Sequence, residues 1–380
     1  MTYLTMNKFF KNLNSGRANF ALMLFISIVI GGGVLKITAT VVLPLAIAIL
    51  LVFVLYPMVL GLEKIRIPRL VSILLAVIII VAALYVFGMV LFSSGRVILS
   101  RYPQYEARLS EIYIWIADVF DLSYNTELSF FQNLWGHIEF RNQISSMAVS
   151  FSNSFLDFGK NAVLVVLFVA FLLVEASQFK EKLELAFSSH SVVIKKMGTD
   201  VMRQVTRYLG AKFLISLANG VIYAIGFWLV GLEFAIVWGV IQFLLNFIPT
   251  LGSIVAGIGI SLFALMQFWP EPGPIIIVVL IVLGTNMILG NILDPKIIGE
   301  NVGISPFVVV ASLVIWGWIW GFAGMVLAVP MMVIIRIICE NFPFLEPISI
   351  LLGSRKAVLA KKAALEAAAH SETEEQSTPE

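Results

Sequence analysis

The sequence predicts an all-α polytopic membrane protein with about six membrane-crossing helices, two re-entrant helical hairpins and an extracytoplasmic amphipathic helical segment. Three observations predict it. Of 380 residues, 60% are hydrophobic and 13% charged, against roughly half and a quarter in soluble domains. The apolar residues gather in runs long enough to cross a hydrocarbon core of about 30 Å. Two of those runs, residues 234–268 and 306–338, are interrupted near the middle by small or polar residues.

The same composition excludes several classes. The net charge is +2, and the basic residues lie between apolar runs, so there is no clustered basic face for nucleic acid. The single cysteine, Cys339, excludes an intrachain disulfide and a cysteine-based zinc cluster. His137, His190 and His370 are scattered. No G-x-x-x-x-G-K-[ST], H-E-x-x-H or G-x-S-x-G occurs, so neither ATP-driven transport nor a familiar hydrolase is expected. No cofactor is expected.

Residues 1–92 hold the first three spans, at about 18–35, 38–62 and 70–92. The first apolar run has no small-residue cleavage pattern, so it is expected to remain as a span. Pro44 and Pro57 fall inside the second and are expected to bend it. Lys8, Lys11 and Arg17 precede the first span, and EKIRIPR (63–69) joins the second to the third; both are expected to be cytoplasmic by the positive-inside rule.

Residues 93–157 carry four basic residues against seven acids and belong outside. Within them Ile112, Trp115, Ile116, Val119 and Phe120 recur at helical spacing opposite Glu111, Asp118 and Asp121, which predicts an amphipathic surface helix. Residues 158–212 hold a fourth span at about 158–178, ending near Glu175, and the most basic segment of the chain, 179–212. There Met197, Val201, Val205, Tyr208 and Leu209 line one helix face, expected to lie at the cytoplasmic membrane surface. Residues 213–352 follow as the transport region, and 353–380 as a cytoplasmic tail whose acidic end is compositionally disordered.

In the transport region a fifth span, about 213–230, leads to the run 234–268, and a sixth, about 275–292, leads to the run 306–338. About 35 helical residues would extend roughly 52 Å, too long for one crossing, while either half reaches only roughly 18–25 Å. A hairpin that enters and leaves on one face fits both lengths. Entry of the first from outside leaves WPEPGP (269–274) outside and LDPKIIGENVG (293–303) inside, where Lys296 belongs. Backbone that leaves helical geometry at membrane depth needs protein or a water-lined cavity around it, and paired interrupted helices point to a solute site.

In the first hairpin the break at 246–253 supplies Asn246, Pro249, Thr250, Gly252 and Ser253, with Gln242 one turn before Asn246. Their amides and hydroxyls either satisfy the freed backbone or hydrogen-bond a small uncharged solute. In the second, glycines alternate with tryptophans over 316–321; Trp316 can stack on a ring-shaped solute or anchor at the interface, and Ser312 lies one turn earlier. Asn286, Asn291 and Asp294 follow the span between them. Asp294 and Glu175 are the acids that could bind a coupling proton or sodium ion, or simply pair with a neighbour such as Lys296.

The runs FLLNFIPTLGSIVAGI (243–258), GNILDPKIIG (290–299) and SLVIWGWIWGFAGMVLAVP (312–330), with RYPQYEARL (101–109) and EASQFKEKL (175–183), resemble the autoinducer-2 exporter family of bacterial inner-membrane transporters. The resemblance covers about residues 18–352. It implies a homo-pentamer, two late hairpins and an elevator-like movement in each protomer. It also implies export of autoinducer-2, with sodium/proton exchange in some relatives, and a bacterial inner-membrane location with both termini cytoplasmic. The expected partners are a small polar solute and the bilayer. The competing expectations are a cation/proton antiporter and a non-transporting membrane scaffold.

Overall fold

The computed structural model describes residues 15–121, 140–186, 191–297, 303–342, 344–355 and 358–359. Lys8 and Lys11, the three histidines, residues 298–302 of the second late loop and the acidic end of the tail lie outside the described residues. The described chain is almost wholly helical: α1 (Ser15–Ile37), α2 (Ala39–Lys64), α3 (Arg69–Phe120), α4 (Phe140–Ala186), α5 (Ser191–Val230), α6 (Ala235–Leu245), α7 (Leu251–Phe268), α8 (Pro272–Thr285), a π-helical continuation (Asn286–Leu293), α9 (Asp294–Ile297), α10 (Pro306–Asn341) and α11 (Glu346–Leu352). Among the described residues there is no strand, only an isolated bridge between Ile304 and Gly353.

Among the described residues seven helices are long and apolar enough to cross a membrane, and the protein is an all-α, multi-pass membrane protein. Two of the seven, α7 and α10, belong to the segments that turn back. The turn between α6 and α7 occupies residues 246–250, with Thr250 at φ 63°. The arms then run side by side: the rings of Phe234 and Trp238 lie 5.9 and 5.4 Å from Phe263, and Gly252 sits hard against the backbone of Leu245.

The second reversal lies within α10. Trp320 (φ −125°, ψ 16°) and Gly321 (φ 61°, ψ −141°) leave helical geometry, and the left-handed φ suits a residue without a Cβ. Beyond them Gly324 packs on the Trp316 carbonyl, Gly317 faces Met325, and Leu313 shares a cluster with Ala328. On an unbroken helix residues eight or fifteen apart would be separated by about 12 or 22 Å, so α10 is two antiparallel arms, 306–319 and 322–341. The break falls at the C-terminal edge of the predicted patch, which leaves Trp316 on the first arm.

Three expected boundaries, at 92/93, 157/158 and 212/213, fall inside the continuous helices α3, α4 and α5. Once a helix is nucleated, extending it into water costs little, and no capping sequence stops these chains where their hydrophobicity ends. The predicted outer amphipathic helix is therefore the far part of the 52-residue α3. Its stripe is only partly used: Ile112 is buried, but Val119 and Phe120 are exposed, and Ala117 is buried instead. The neighbour it covers is the narrow open base of the first hairpin. Arg101 pairs with Glu233, Tyr105 donates to the same carboxylate at 2.5 Å, and Trp115 packs edge-on against Trp269 at 5.1 Å. Burial, then the bond to Glu233, holds the Tyr105 phenol well above its ordinary pKa. Gln267 closes the base from within, accepting from Glu233 N at 2.7 Å and donating to the Gly231 carbonyl at 2.9 Å.

The basic helix departs from expectation too. Val205, Tyr208 and Leu209 are buried, with Met197 and Val201 partly buried beside them, against α2 and the second hairpin rather than lying on a membrane surface. The tip of that hairpin rests on α1: the Trp320 indole N–H donates to the Leu35 carbonyl at 3.0 Å, and the Lys36 ammonium lies 3.9 Å from the Trp318 ring centroid. Leu35 belongs to the last turn of α1, whose carbonyls lack helical partners.

A Cβ at residue 252 would overlap the Leu245 carbonyl, and no rotamer relieves a clash with backbone. Gly252→Ala is expected to destabilise the detergent-solubilised protein by about 1–3 kcal/mol, seen as a lower Tm, while Ser253→Ala changes stability by less than about 0.5 kcal/mol.

Candidate solute site at the hairpin break

Helix α5 carries a buried seam, Tyr208, Lys212, Ser216, Asn219 and Tyr223. The spacing of four, four, three and four puts them on one face, over about 22 Å of helix axis. An apolar span has no reason to hide such groups unless something meets them. The first hairpin does. Gly220 and Ala224 of α5 and Gly239 of α6 let the backbones approach so closely that a Cβ on Gly239 would strike the Gly220 carbonyl, the small-residue contact typical of helices in membranes. That approach carries the face of Gly239, Gln242 and Asn246 onto the seam.

Asn246 is the junction. Its Nδ2 donates to Ser216 Oγ at 2.9 Å, and its Oδ1 accepts from Asn219 Nδ2 at 3.4 Å. The backbone of the turn is served locally: the N–H groups of Asn246, Phe247, Ile248 and Gly252 donate to the carbonyls of Gln242, Leu244, Leu245 and Ile248. The Asn246 side chain is thus spent on α5 and not on repairing the helix break. Gln242 is fully buried, and neither its oxygen nor its nitrogen has a hydrogen-bond partner; Asn219 Oδ1 is in the same condition. Of the other predicted residues here, Gly252 is consumed by packing, Pro249 and Ser253 are half-buried, and Thr250 is exposed at the turn.

The tip of this hairpin meets the second one. Ile248 and Leu245 pack with Leu313, Trp316, Met325 and Ala328. Trp316 is half-buried, its ring 5.1 Å from Trp320. Ser312 is buried, but its hydroxyl donates to Val309 O at 2.7 Å, which leaves it an acceptor.

The third wall is α8 and its π-helical end. Tyr223 Oη lies 3.4 Å from the Val282 carbonyl and 3.5 Å from Asn286 Oδ1, placing Asn286 on the seam. Asn291 is exposed. Asp294, at the end of the π-helical segment, pairs with Lys212 at 2.7 Å and not with Lys296, which is exposed. Its second oxygen, Oδ1, is buried without a partner. Glu175 is far from this arrangement in role: it pairs with Lys182 across an exposed surface. Among the described residues no group of three or more His, Cys, Asp or Glu could hold a metal ion.

Lys212, Ser216, Asn219 and Tyr223 were not among the predicted site residues. Their signal was available as polar residues at one-turn intervals in an otherwise apolar run, but Lys212 reads as the last member of a basic loop and the others as single polar residues in a span.

The model of the AI-2E family transporters matches residues 20–344. A relative from Borreliella burgdorferi is 31% identical over 84% of this chain and 87% of its own length. One from Haemophilus influenzae is 31% identical over 90% and 97%. Both carry names that say transport and give no substrate. The AI-2 transport protein TqsA of Escherichia coli is 27% identical over 84% of this chain and 91% of its own.

Replacing Gln242 by leucine removes an unpaired buried amide at nearly constant volume. Stability of Gln242→Leu is expected to hold or rise by about 1 kcal/mol, measured as Tm, whereas Asn246→Ala, which strands Ser216 and Asn219, is expected to lose about 1–3 kcal/mol.

Proposed function

The chain belongs to the AI-2E transporter family, and from that premise we propose that it is a secondary transporter exporting a small polar metabolite by alternating access. The observation that carries this reading is the unpaired Gln242 amide, buried on the seam beside the bonded Asn246 at a helix break. A stranded buried amide costs about 1–3 kcal/mol, and a hydroxylated solute offers the donor and acceptor it lacks. We assign the enclosure to Gln242 and Asn246 of the first hairpin, Ser312 and Trp316 of the second and Asn286 between them, with Pro249, Thr250, Gly252 and Ser253 shaping the turn; exposed Asn291 is left out of it. Autoinducer-2 is the first solute to test, since one relative is named for its transport. The first hairpin, with α8 and the end of α5, shifts in an elevator-like movement against the second hairpin. The assembly is a homo-pentamer of the bacterial inner membrane with both termini cytoplasmic. No catalytic residue or cofactor is assigned.

A second reading, cation/proton exchange at Asp294, is supported by the buried unpartnered oxygen of that carboxylate. Lys212 opposes it, because its ammonium already supplies the positive charge. Glu175, exposed beside Lys182, adds no support.

Efflux from proteoliposomes loaded with autoinducer-2, small sugars, furanones or sodium tests both readings. We expect polar-solute efflux that falls about tenfold or more in Asn246→Ala with Trp316→Ala, as for a site that loses over 1.4 kcal/mol of solute contact; undiminished efflux overturns the site assignment, and no wild-type efflux of any of these solutes returns the protein to the scaffold class. In a Cys339→Ala background, Glu271→Cys is expected to label from outside and Lys296→Cys from inside, and the reverse for residue 296 overturns the topology.

A further inference from the structure

We propose that the Lys212–Asp294 ion pair sets the charge class of solute the seam admits, holding it neutral for an uncharged, hydroxylated solute. The proposal rests on the transport reading above and deepens it.

Lys212 is the one charged residue among the buried residues described, its side chain 3% exposed. Its backbone stands one turn, about 6 Å along the helix axis, from Ser216, which accepts the hydrogen bond of Asn246. The other polar side chains named on the seam, on the first hairpin's facing side and at the start of the π-helical segment are uncharged: Tyr208, Ser216, Asn219, Tyr223, Gln242, Asn246 and Asn286. An unpaired unit charge on that seam, in the low effective dielectric of a protein interior, would change a charged solute's preference by about tenfold or more. Asp294 cancels it.

The carboxylate does a second thing. Oδ2 is taken by Lys212, while Oδ1 is buried with no partner. A cation approaching Oδ1 meets the ammonium beside it, and an anion approaching Lys212 meets the carboxylate. A hydroxyl group meets neither repulsion and supplies the hydrogen bond that Oδ1 lacks, a charge-assisted one. The pair also joins α5 to the end of the π-helical segment, so a purely mechanical tie between helices would show the same distance. The two roles differ in one respect: a mechanical tie is indifferent to the charge of the solute.

The test compares three solutes of one size in proteoliposomes: erythritol, its carboxylate erythronate, and 4-aminobutane-1,2,3-triol. Wild type is expected to release erythritol fastest. Asp294→Asn leaves Lys212 uncompensated and is expected to raise the erythronate-to-erythritol ratio about tenfold; Lys212→Gln is expected to raise the aminotriol ratio by a similar factor. A single variant that strands a buried charge can fail to fold, so the neutral double variant, Lys212→Gln with Asp294→Asn, and the reversed pair, Lys212→Asp with Asp294→Lys, are measured as well. Both are expected to keep the wild-type ranking, and a changed ranking in either overturns the proposal. So does a common slowing of all three solutes in the single variants, or wild-type release of the charged probes as fast as erythritol; neither result touches the transport reading. Release of none of the three by wild type removes both.

Discussion

A peptide group without a hydrogen-bond partner cannot be left in hydrocarbon, and the arrangement of this protein follows from where that constraint is met. Two segments break helical geometry, and each break is housed. Around the first, the turn satisfies its own N–H groups through short-range bonds to main-chain carbonyls. At the second, the Trp320 indole reaches the carbonyl end of α1, so one element's broken tip caps another element's open end. Such housing needs a partner that spans the depth of both breaks. Helix α5 is that partner: its C-terminal half packs with the first hairpin and α8 around Tyr223 and Phe227, and its N-terminal half with the second hairpin around Val205 and Leu209.

The consequence is an uneven division of contacts. The second hairpin is bound to α1 and α2 through a large cluster that includes Leu50, Leu327, Val333 and Ile337. The first is bound to α5 and α8, and its base is clamped by the far part of α3 through Glu233 and Trp269. Between the hairpins lies only a small buried group, Ile248, Leu313 and Ala328. Apolar burial contributes about 25 cal/mol per Å², so the boundary with least burial is where relative displacement costs least.

The breaks, the order of spans and the hairpins were legible because each rests on a local rule: run length against membrane thickness, and glycine, proline and asparagine where helices stop. Asn246 was legible for the same reason. The merging of the loops into α3, α4 and α5 was not, because composition marks where a chain leaves lipid and not where a helix ends. The partner of Asp294 was illegible for a different reason. Lys296 is two residues away in sequence, but Lys212 is 82 away and meets it only through the packing of α5 on α8. Asn219 and Ser216 acquire their meaning from Asn246, thirty residues or fewer along the chain but on another helix.

That distinction bears on what the seam is for. A scaffold would gain from replacing Gln242 and the Lys212–Asp294 pair with apolar residues of similar volume, since buried ion pairs commonly contribute less than the apolar packing they displace and an unpaired amide contributes nothing. Interhelical hydrogen bonds do bind helices in membranes, and the Asn246–Ser216 bond serves that end. Gln242, Asn219 Oδ1 and Asp294 Oδ1 bind no other helix. On the transport reading proposed above, these partnerless polar atoms are the ones a hydroxylated solute would complete. The same reading accounts for their small number, because a transporter must release what it binds and a site that offered more hydrogen bonds would hold its solute longer.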